Sequence, residues 1–202
     1  MPAAELLIRL GSALESPGYC ILDQALPAAL AAELARECRE EDSPNFLPAG
    51  TGRQNGRQLD TSVRADSIRW LDAETPACKA YLATMDALRS DLNSRWFLGL
   101  FDYECHYARY APGAFYSKHL DAFAGNKNRV LSTVLYLNAA WEAGQGGELQ
   151  LYSLNGATVL ERVAPLHNRL VVFLSERFPH EVLPASRERH SLAGWFRVRK
   201  SA

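Results

Sequence analysis

The chain has 202 residues, 48% of them hydrophobic and 22% charged, an ordinary composition for one soluble globular domain with a sizeable core. Its 22 basic and 23 acidic side chains give a formal net charge of −1, which argues against a general binder of nucleic acid or anionic membranes. No apolar run approaches the ~18 residues that a membrane span requires. The first 16 residues carry Glu5 and Arg9 among the leucines and do not resemble a secretory signal. We therefore expect a cytoplasmic protein without a membrane partner.

Four cysteines are spread along the chain and form no C-x-x-C pair: Cys20, Cys38, Cys78 and Cys105. In a protein without a secretory signal, such spacing is typical of reduced, mostly buried thiols. This interpretation is favoured over a disulfide or a structural zinc site.

The first half of the chain has a helical pattern. Residues 1–16 are amphipathic, residues 27–41 are rich in Ala and Leu after an initial proline, and residues 75–95 carry apolar side chains at helical spacing. The third helix has a defined start, because Thr75 suits the N-cap and Pro76 the first helical position. Residues 46–62 are rich in Gly, Asn and Gln, which predicts a hairpin or a mobile loop.

The pattern changes at Phe101 to short segments rich in β-branched and aromatic residues, separated by Gly, Pro, Asn or Ser. Such spacing is typical of a β-sandwich or barrel. We predict an α+β, mainly β, single domain over residues 1–202. In it, helices and a loop in residues 1–100 buttress a double-stranded β-helix (jelly roll) in residues 101–199. The predicted strands cover residues 103–110, 129–138, 148–153, 157–163, 169–175, 180–184 and 190–199.

Two histidines and one carboxylate suggest a metal site. His119 and Asp121 alternate on a probable strand, so their side chains should point the same way, and His180 opens a later strand. Such a set can occupy one face of Fe(II) and leave the opposite face open. Each histidine taken alone would be interpreted as a core or surface residue. For the same reason His106 and His167 are expected to be structural or exposed, and His190, next to Arg189, should face the other side of its strand.

Two further residues could bind a 2-oxo acid beside this metal. Arg189 follows His180 on the next strand segment, and a planar guanidinium grips a carboxylate with two hydrogen bonds. Tyr136 could donate a hydroxyl group to the same carboxylate. The alternative for Arg189 is a surface arginine in the polar run 186–190.

Several motifs, in order, resemble one family. The string RYAPGAFYSKHLD, from Arg109 to Asp121, resembles the R-Y-x-x-G-x-x-Y-x-x-H-x-D signature of iron- and 2-oxoglutarate-dependent prolyl 4-hydroxylases. Further matches are VLYLN (134–138), GGEL (146–149) and PHEVLP (179–184) with Arg189. Upstream, FLPAGTG (46–52) and VRADSIRW (63–70) resemble the oxygen-sensing, EGL-nine branch. The resemblance covers about Phe46 to Phe196.

The resemblance implies a role for each matching position. His119, Asp121 and His180 would be the iron ligands, and Arg189 and Tyr136 would bind the distal carboxylate of 2-oxoglutarate. It also implies that Tyr110 lies near the C1 end of the co-substrate, that Leu149 and Trp195 line the pocket, and that Asp66 pairs with Arg129. Two departures stand out: the R-G-D of the family is Arg64-Ala65-Asp66 here, and collagen-type enzymes have lysine in place of Arg189.

The resemblance also bears on the reaction. Related halogenases lack the carboxylate that Asp121 supplies, so hydroxylation is expected. Trp195 stands where related nucleic-acid demethylases carry a second arginine, so no nucleic-acid substrate is expected. The implied cofactors are Fe(II), 2-oxoglutarate and O₂, with ascorbate as a candidate reductant. We expect trans-4-hydroxylation of a prolyl residue in a protein, yielding succinate and CO₂.

The substrate is the least determined part of this interpretation. Bacterial members of the family implicate elongation factor Tu, animal members the hypoxia-inducible factor, and a compact bacterial enzyme, expected to be a monomer, is favoured. Residues 46–62 are the candidate lid, with substrate contacts expected from Arg53, Gln54, Asn55, Gly56 and Arg57. Two alternatives stay open: the same chemistry on a free amino acid or small metabolite, and a non-catalytic metal-binding sensor or adaptor.

Overall fold

The computed structural model describes residues 3–40, 46–50, 60–122 and 128–199. Its helices are α1 (Ala3–Glu15), α2 (Ala28–Glu40) and α3 (Pro76–Trp96), which confirms the three predicted helices within a few residues at each end. The Thr75 hydroxyl caps α3 by accepting a 3.0 Å hydrogen bond from the Cys78 N–H, and Pro76 is the first helical residue. Among the described residues, no helix is both long and apolar enough to cross a membrane.

The described residues form eleven strands in two antiparallel sheets. The major sheet has seven strands in the order β1-β9-β6-β11-β4-β3-β2, and the minor sheet has four in the order β5-β10-β7-β8. The strands are β1 (Tyr19–Leu22), β2 (Leu47–Pro48), β3 (Ser67–Trp70), β4 (Asp102–Tyr110), β5 (Tyr116–His119), β6 (Arg129–Tyr136), β7 (Leu149–Tyr152), β8 (Val159–Val163), β9 (Leu170–Leu174), β10 (His180–Val182) and β11 (Arg189–Arg197).

All seven predicted strands of the second half are confirmed, and β5 is the probable strand that carries His119. The structure adds three earlier strands. These are β1, β2 and β3, which lie at the two edges of the major sheet. The strand β2 falls inside the segment 46–62 that was predicted as a hairpin or loop, where Leu47 pairs with Ile68 of β3. The lid residues Arg53, Gln54, Asn55, Gly56 and Arg57 lie outside the described residues.

Two apolar layers hold the architecture together. The larger lies between the helices and one face of the major sheet, and includes Leu10, Leu34, Met85, Leu135 and Phe196. The second lies between the two sheets, where Val171 and Phe173 of β9 pack with Leu149, Leu151 and Val182 of the minor sheet. Two facing antiparallel sheets with helices on one outer face form the predicted jelly roll with helical support.

A chain of three hydroxyl groups links α3 to the major sheet through the larger core. Tyr81 of α3 and Tyr103 of β4 share a 2.9 Å hydrogen bond, and Tyr103 and Thr133 of β6 share one of 2.8 Å. The Tyr103 ring crosses β11 at Gly194, where an added Cβ would lie 2.3 Å from the Tyr103 hydroxyl oxygen. The absence of a side chain at position 194 therefore makes this link sterically feasible.

The four cysteines are free and buried in the described part of the chain, as the spacing predicted. Burial raises the pKa of the Cys38 thiol to about 12, and burial also raises the pKa of Cys20, Cys78 and Cys105. The thiols are therefore protonated and unreactive at neutral pH.

Candidate active site

Three side chains converge where the minor sheet meets the major sheet. His119 is the last residue of β5 and His180 is the first of β10, and the two are paired in register. Nε2 of His119 lies 3.8 Å from Oδ1 of Asp121, and Nε2 of His180 lies 3.5 Å from Oδ2. One ligand atom from each side chain lies within 4.8 Å of the others, a spacing that could hold a metal ion.

The placement of Asp121 corrects one expectation. His119 and Asp121 do not alternate along one strand, because β5 ends at His119 and Asp121 lies in a bend after it. Convergence therefore comes from the bend and from the cross-strand pairing of His119 with His180.

Both histidines are held by main-chain carbonyls of their own segments. Nδ1 of His119 donates to the Ser117 carbonyl at 2.8 Å, and Nδ1 of His180 donates to the Phe178 carbonyl at 3.0 Å. With Nδ1 as the donor in each ring, Nε2 is left as the atom with a lone pair, facing Asp121.

The electrostatics of the cluster favour the metal-binding protonation states. Burial, together with the nearby His180, lowers the pKa of His119 to about 3 against the opposing attraction of Asp121. Burial tends to raise the pKa of Asp121, but His180, His119, Arg129 and the Ser132 hydroxyl outweigh it and hold that pKa well below its usual range. His119 is thus neutral and Asp121 ionised at pH 7, as divalent metal binding requires.

A stack of side chains covers the outer face of His119. The Tyr116 ring lies 3.6 Å from the His119 ring, centroid to centroid, at an interplanar angle of 15°. The Arg64 guanidinium lies 4.6 Å from the centroid of the Tyr116 ring. Asp66 fixes that guanidinium through two hydrogen bonds of 2.6 and 2.9 Å. The stack limits rotation of the His119 ring, so that Nε2 keeps its direction.

A second polar group occupies the same cavity. Arg189 is 1% exposed, and it donates from Nε to the Gly147 carbonyl at 2.9 Å and from Nη1 to the Ser191 hydroxyl at 3.3 Å. Among the described residues, no carboxylate pairs with it. The buried Tyr136 hydroxyl has no hydrogen-bond partner there, and the Tyr136 ring centroid lies 5.1 Å from the guanidinium carbon of Arg189. A buried cation and a buried donor without an acceptor together favour an anionic ligand.

The cavity has a volume of about 890 Å³ and continues from Arg189 past the cluster to an aromatic wall. In that wall Trp70 and His106 are 5.2 Å apart, and His106 and Trp195 are 5.5 Å apart, between ring centroids. The Arg129 guanidinium lies 3.5 Å from the Trp195 ring centroid and 3.7 Å from Asp121, measured from Nη1 to Oδ1. An elongated ligand could therefore bind at one end of the metal cluster and a second ligand at the other.

Comparison with known proteins agrees with this geometry. Residues 105–197 match the model of the 2OG-Fe(II) oxygenase superfamily. The crystal structure of a Pseudomonas putida prolyl-4-hydroxylase is 44% identical, with a TM-score of 0.85 over 96% of this chain and 99% of that chain. This chain belongs to the 2OG-Fe(II) oxygenase superfamily.

This oxygenase is also similar to prolyl hydroxylases of the EGL-nine type. A prolyl hydroxylase in complex with a hypoxia inducible factor peptide fragment, from Trichoplax adhaerens, is 25% identical, with a TM-score of 0.83 over 96% of this chain and 90% of that chain. Human Egl nine homolog 1 is 27% identical over 210 residues, which cover 97% of this chain and 48% of that protein. The chain spans about half to three fifths of the length of the mammalian Egl nine homologs 1.

The pocket of this oxygenase fits the Fe(II), 2-oxoglutarate and O₂ that the superfamily uses. His119, Asp121 and His180 offer two nitrogens and a carboxylate oxygen, the donor set typical of non-haem Fe(II). In the same cavity, a carboxylate would supply the counter-charge that Arg189 lacks, and the Tyr136 ring, 5.1 Å from the Arg189 guanidinium carbon, carries a buried hydroxyl that lacks an acceptor. The donors present therefore match the metal and the carboxylate of 2-oxoglutarate.

The structure brings the other expected pocket residues to the same cavity. Tyr110, Leu149 and Trp195 line it, and the Tyr110 ring centroid lies 4.9 Å from the Arg189 guanidinium carbon. His190, as expected, is away from the site and lies 3.3 Å from Glu188, between Nε2 and Oε2. His106 is different: it is buried as expected, but it also lines the cavity.

The expected ion pair between Asp66 and Arg129 is wrong for the part of the chain that the structure describes. Both carboxylate oxygens of Asp66 accept from Arg64, two residues earlier. Arg129 instead donates to Glu104 at 3.2 Å and approaches Asp121. Arg64 is the nearer cation because residues 63–65 run beside β5, with a bridge between Arg64 and Tyr116.

Sequence reasoning missed two serines beside the carboxylate. The Ser132 hydroxyl donates to Oδ2 of Asp121 at 2.7 Å and lies 2.9 Å from the Ser175 hydroxyl. A signal for Ser132 was present: it lies four residues before Tyr136 on the same strand, hence on the same face, and is polar in an apolar run. Ser175 follows β9, and its position became visible only in the fold.

Proposed function

We propose that this chain is a 2-oxoglutarate- and O₂-dependent hydroxylase of a prolyl residue in a protein, acting at the trans-4 position. The observation that carries the proposal is one cavity that holds a His-Asp-His cluster and, beside it, a buried arginine with no acidic partner among the described residues. A metal-binding protein without a 2-oxo acid co-substrate would have no use for this arginine. Family membership and the prolyl hydroxylase relatives support the reaction class.

At the metal end, His119, Asp121 and His180 would hold Fe(II). Bound iron supplies the redox chemistry that couples decarboxylation of 2-oxoglutarate to succinate and CO₂ with transfer of an oxygen atom to a C–H bond. The chain prepares this end by keeping both imidazole Nε2 atoms directed at Asp121 and by screening His119 behind the Tyr116 ring.

At the co-substrate end, Arg189 and Tyr136 would bind the distal carboxylate of 2-oxoglutarate. Two donors on a rigid strand pair fix the length of the molecule that fits between them and the metal cluster. Tyr110 would lie near the C1 end, and Leu149 would form an apolar wall that excludes water. Trp195, which the resemblance also assigns to this pocket, lies in the aromatic wall beside His106. Since these residues lie on central strands of the two sheets, the end is preformed.

Beyond the metal, the wall of Trp70, His106 and Trp195 supports a prolyl substrate. Burial lowers the pKa of His106 to about 4, so this ring is neutral as well as aromatic at pH 7. A pyrrolidine ring is an apolar, weakly polarised group that packs well against aromatic faces. We further propose a single-domain, monomeric, cytoplasmic enzyme with elongation factor Tu as the candidate substrate, supported by the resemblance to bacterial members of the family.

The test is succinate formation by the purified chain with Fe²⁺ and 2-oxoglutarate, in three arms: no substrate, free L-proline, and purified elongation factor Tu. The proposal expects succinate well above the basal level only with the protein, together with a mass gain of one oxygen atom on a single proline. Stimulation by free proline alone would assign the activity to a small metabolite. Tight iron binding without turnover in any arm, including a whole-cell protein extract, would favour a sensor.

A further inference from the structure

The carboxylate of Asp121 is held from outside the cluster by a buried pair of hydroxyl groups. Ser132 is 2% exposed and Ser175 is fully buried, so bulk water does not compete for either. Ser132 Oγ lies 2.7 Å from Oδ2 of Asp121, and Ser175 Oγ lies 2.9 Å from Ser132 Oγ. Both distances are ordinary for O–H···O hydrogen bonds.

The direction of this hydrogen-bond chain follows from the number of protons available. A serine hydroxyl has one proton to donate, and an ionised carboxylate can only accept. Ser132 must therefore donate to Asp121, and consequently it accepts from Ser175. The chain runs from Ser175 through Ser132 to Oδ2, and each hydrogen bond polarises the next.

Ser175 also ties this chain to the backbone on both sides of the cluster. Its N–H donates to the Val130 carbonyl of β6 at 3.0 Å, and its carbonyl accepts from the Ala122 N–H at 3.4 Å. One residue after β9 therefore fixes the strand that carries Ser132 and the bend that carries Asp121. This matters because Asp121 lies outside any strand and has no ladder hydrogen bonds of its own to hold it.

We propose that Ser132 and Ser175 are positioning residues that set the rotation of the Asp121 carboxylate for metal binding. Oδ2 accepts from Ser132 and lies 3.5 Å from Nε2 of His180, while Oδ1 is approached by Arg129 at 3.7 Å and by His119 at 3.8 Å. Without the hydroxyl pair, the carboxylate can rotate about its Cβ–Cγ bond, so metal binding must first order it. The inference rests on the proposed function only in that Asp121 is taken as a metal ligand.

The experiment measures Co²⁺ binding to the full chain without co-substrate, by calorimetric titration and by the visible absorption of the bound ion. Loss of a partner outside the coordination sphere typically weakens metal binding by ~10- to 100-fold. We expect Ser132→Ala to weaken Co²⁺ binding about 10-fold and to shift its visible bands. Ser175→Ala should weaken binding less, by about 3-fold, because Ser132 keeps its bond to Asp121.

A double-mutant cycle tests the direct coupling. In the Ser132→Ala background, Ser175→Ala should change Co²⁺ affinity by less than about 2-fold, because Ser175 acts on the carboxylate through Ser132. Ser132→Thr keeps the hydroxyl group and should restore affinity and spectrum to nearly the starting values. Additive losses of Co²⁺ affinity in the double variant, or no recovery of affinity with threonine, would overturn the proposal that Ser175 acts through the Ser132 hydroxyl.

Thr133→Val is the matched control for a general effect of losing a buried hydroxyl group. Thr133 is the neighbouring residue, and its hydroxyl group bonds Tyr103 on the helical side of the sheet. Its loss should lower the melting temperature with Co²⁺ affinity unchanged. If Ser132→Ala lowered only the melting temperature in the same way, the serine would be structural and the proposal would be wrong.

His119→Ala separates this inference from the proposed function. If His119→Ala abolishes Co²⁺ binding while Ser132→Ala leaves affinity and spectrum unchanged, the metal site stands and the positioning role fails. If His119→Ala binds Co²⁺ as the unmodified chain does, the cluster is not the metal site and the proposed function fails.

Discussion

The Arg189 guanidinium is a buried charge that the folded chain carries without an acidic partner among the described residues. Desolvation of such a cation is unfavourable in the free protein, and a bound carboxylate would offset that penalty. The same reasoning applies, at lower magnitude, to the neutral Tyr136 hydroxyl. Each residue therefore lowers the stability of the ligand-free protein and raises its affinity for a carboxylate ligand.

For Arg189→Met we expect weaker 2-oxoglutarate binding but a more stable ligand-free protein. Charge-assisted hydrogen bonds contribute ~1.5–3 kcal/mol, which corresponds to a loss of about 10- to 100-fold in affinity. The free energy of unfolding should rise by ~1 kcal/mol or more, because the unpaired charge is gone. Calorimetric titration and urea unfolding measure the two effects. Arg187→Met, at an exposed position two residues earlier, should change neither.

The buried imidazole of His106 predicts a pH dependence of stability. Its pKa is about 4 in the folded protein and near 6.5 in the unfolded chain, because burial disfavours the charged ring. Above pH 6.5 the ring is neutral in both states. Below it the unfolded chain binds the proton first, so stability falls as the pH drops from about 6.5 to about 4, by up to ~1.4 kcal/mol per pH unit from this group.

Urea unfolding of His106→Gln over this pH range should show a shallower loss of stability than the unmodified chain. His167→Gln, at an exposed position whose pKa is also lowered by burial, serves as the comparison and should reduce the loss of stability less than His106→Gln does. An unchanged slope in His106→Gln would mean that His106 is not neutral and buried in solution.

At the scale of elements, β11 is the central strand of the major sheet. It pairs with β4 on one side and β6 on the other, and Gly194 allows the Tyr103 ring to cross it. The crossing joins α3 to β6 through the hydroxyl chain of Tyr81, Tyr103 and Thr133. The helical layer is thus attached to the same strand that carries Ser132 on its other face.

Gly194→Ala should destabilise the fold by ~1–3 kcal/mol, since the new Cβ would meet the Tyr103 hydroxyl oxygen at 2.3 Å and Cβ of Cys105 at 2.7 Å. The double variant Gly194→Ala/Tyr103→Leu should cost less than the sum of its two single changes, because the shorter side chain removes most of the overlap. Thermal unfolding of the three variants checks this. Strict additivity would argue against the crossing.

The sequence predicted the elements with the strongest local signals. The three helices have apolar periodicity or a capping pattern such as Thr75-Pro76, and the second-half strands are apolar runs between turn residues. The strand β3, by contrast, reads Ser-Ile-Arg-Trp and is only partly buried, and β2 has two residues. β3 is a strand because β4 offers an edge to pair with, and β2 pairs in turn with β3, a non-local cause that composition does not carry.

The site residues show the same difference between local sequence signals and non-local causes. The motif around His119 and the residue types of His180 and Arg189 were enough to name a metal cluster and an anion-binding arginine. Asp121 was expected on a strand and lies in a bend, where Ser175 holds it from 54 positions away in the chain (175 − 121). The partner of Asp66 depended on the path of residues 63–65 beside β5, which no local pattern specifies.

For the whole molecule, the cavity between the sheets has two functional ends. Arg189 lies at one end, and Trp70, 51% exposed, lies at the other on β3, the strand next to the edge strand β2. The metal cluster lies between them, so changes at the two ends should affect different ligands.

Trp70→Ala should raise the KM for the protein substrate about 5-fold, the loss expected for a half-exposed aromatic contact worth ~1 kcal/mol, and leave the Kd of 2-oxoglutarate unchanged. Steady-state kinetics with the protein substrate and a separate co-substrate titration measure both. Phe97→Ala, at an 88% exposed position after α3, is the control for loss of a surface aromatic ring. An equal loss of affinity for the protein substrate and for 2-oxoglutarate would contradict the assignment of the two ends to different ligands.

The cavity also lies between side chains of the two sheets. The histidines belong to the minor sheet, whereas Arg189 and Tyr136 belong to the major sheet. A co-substrate bound to the metal at one end and to Arg189 and Tyr136 at the other would connect the two sheets. Ligand at about 100 times its Kd stabilises a fold by ~2.7 kcal/mol. The melting temperature should therefore be highest when metal and co-substrate are present together. The lifetime of the folded enzyme would then depend on the supply of both.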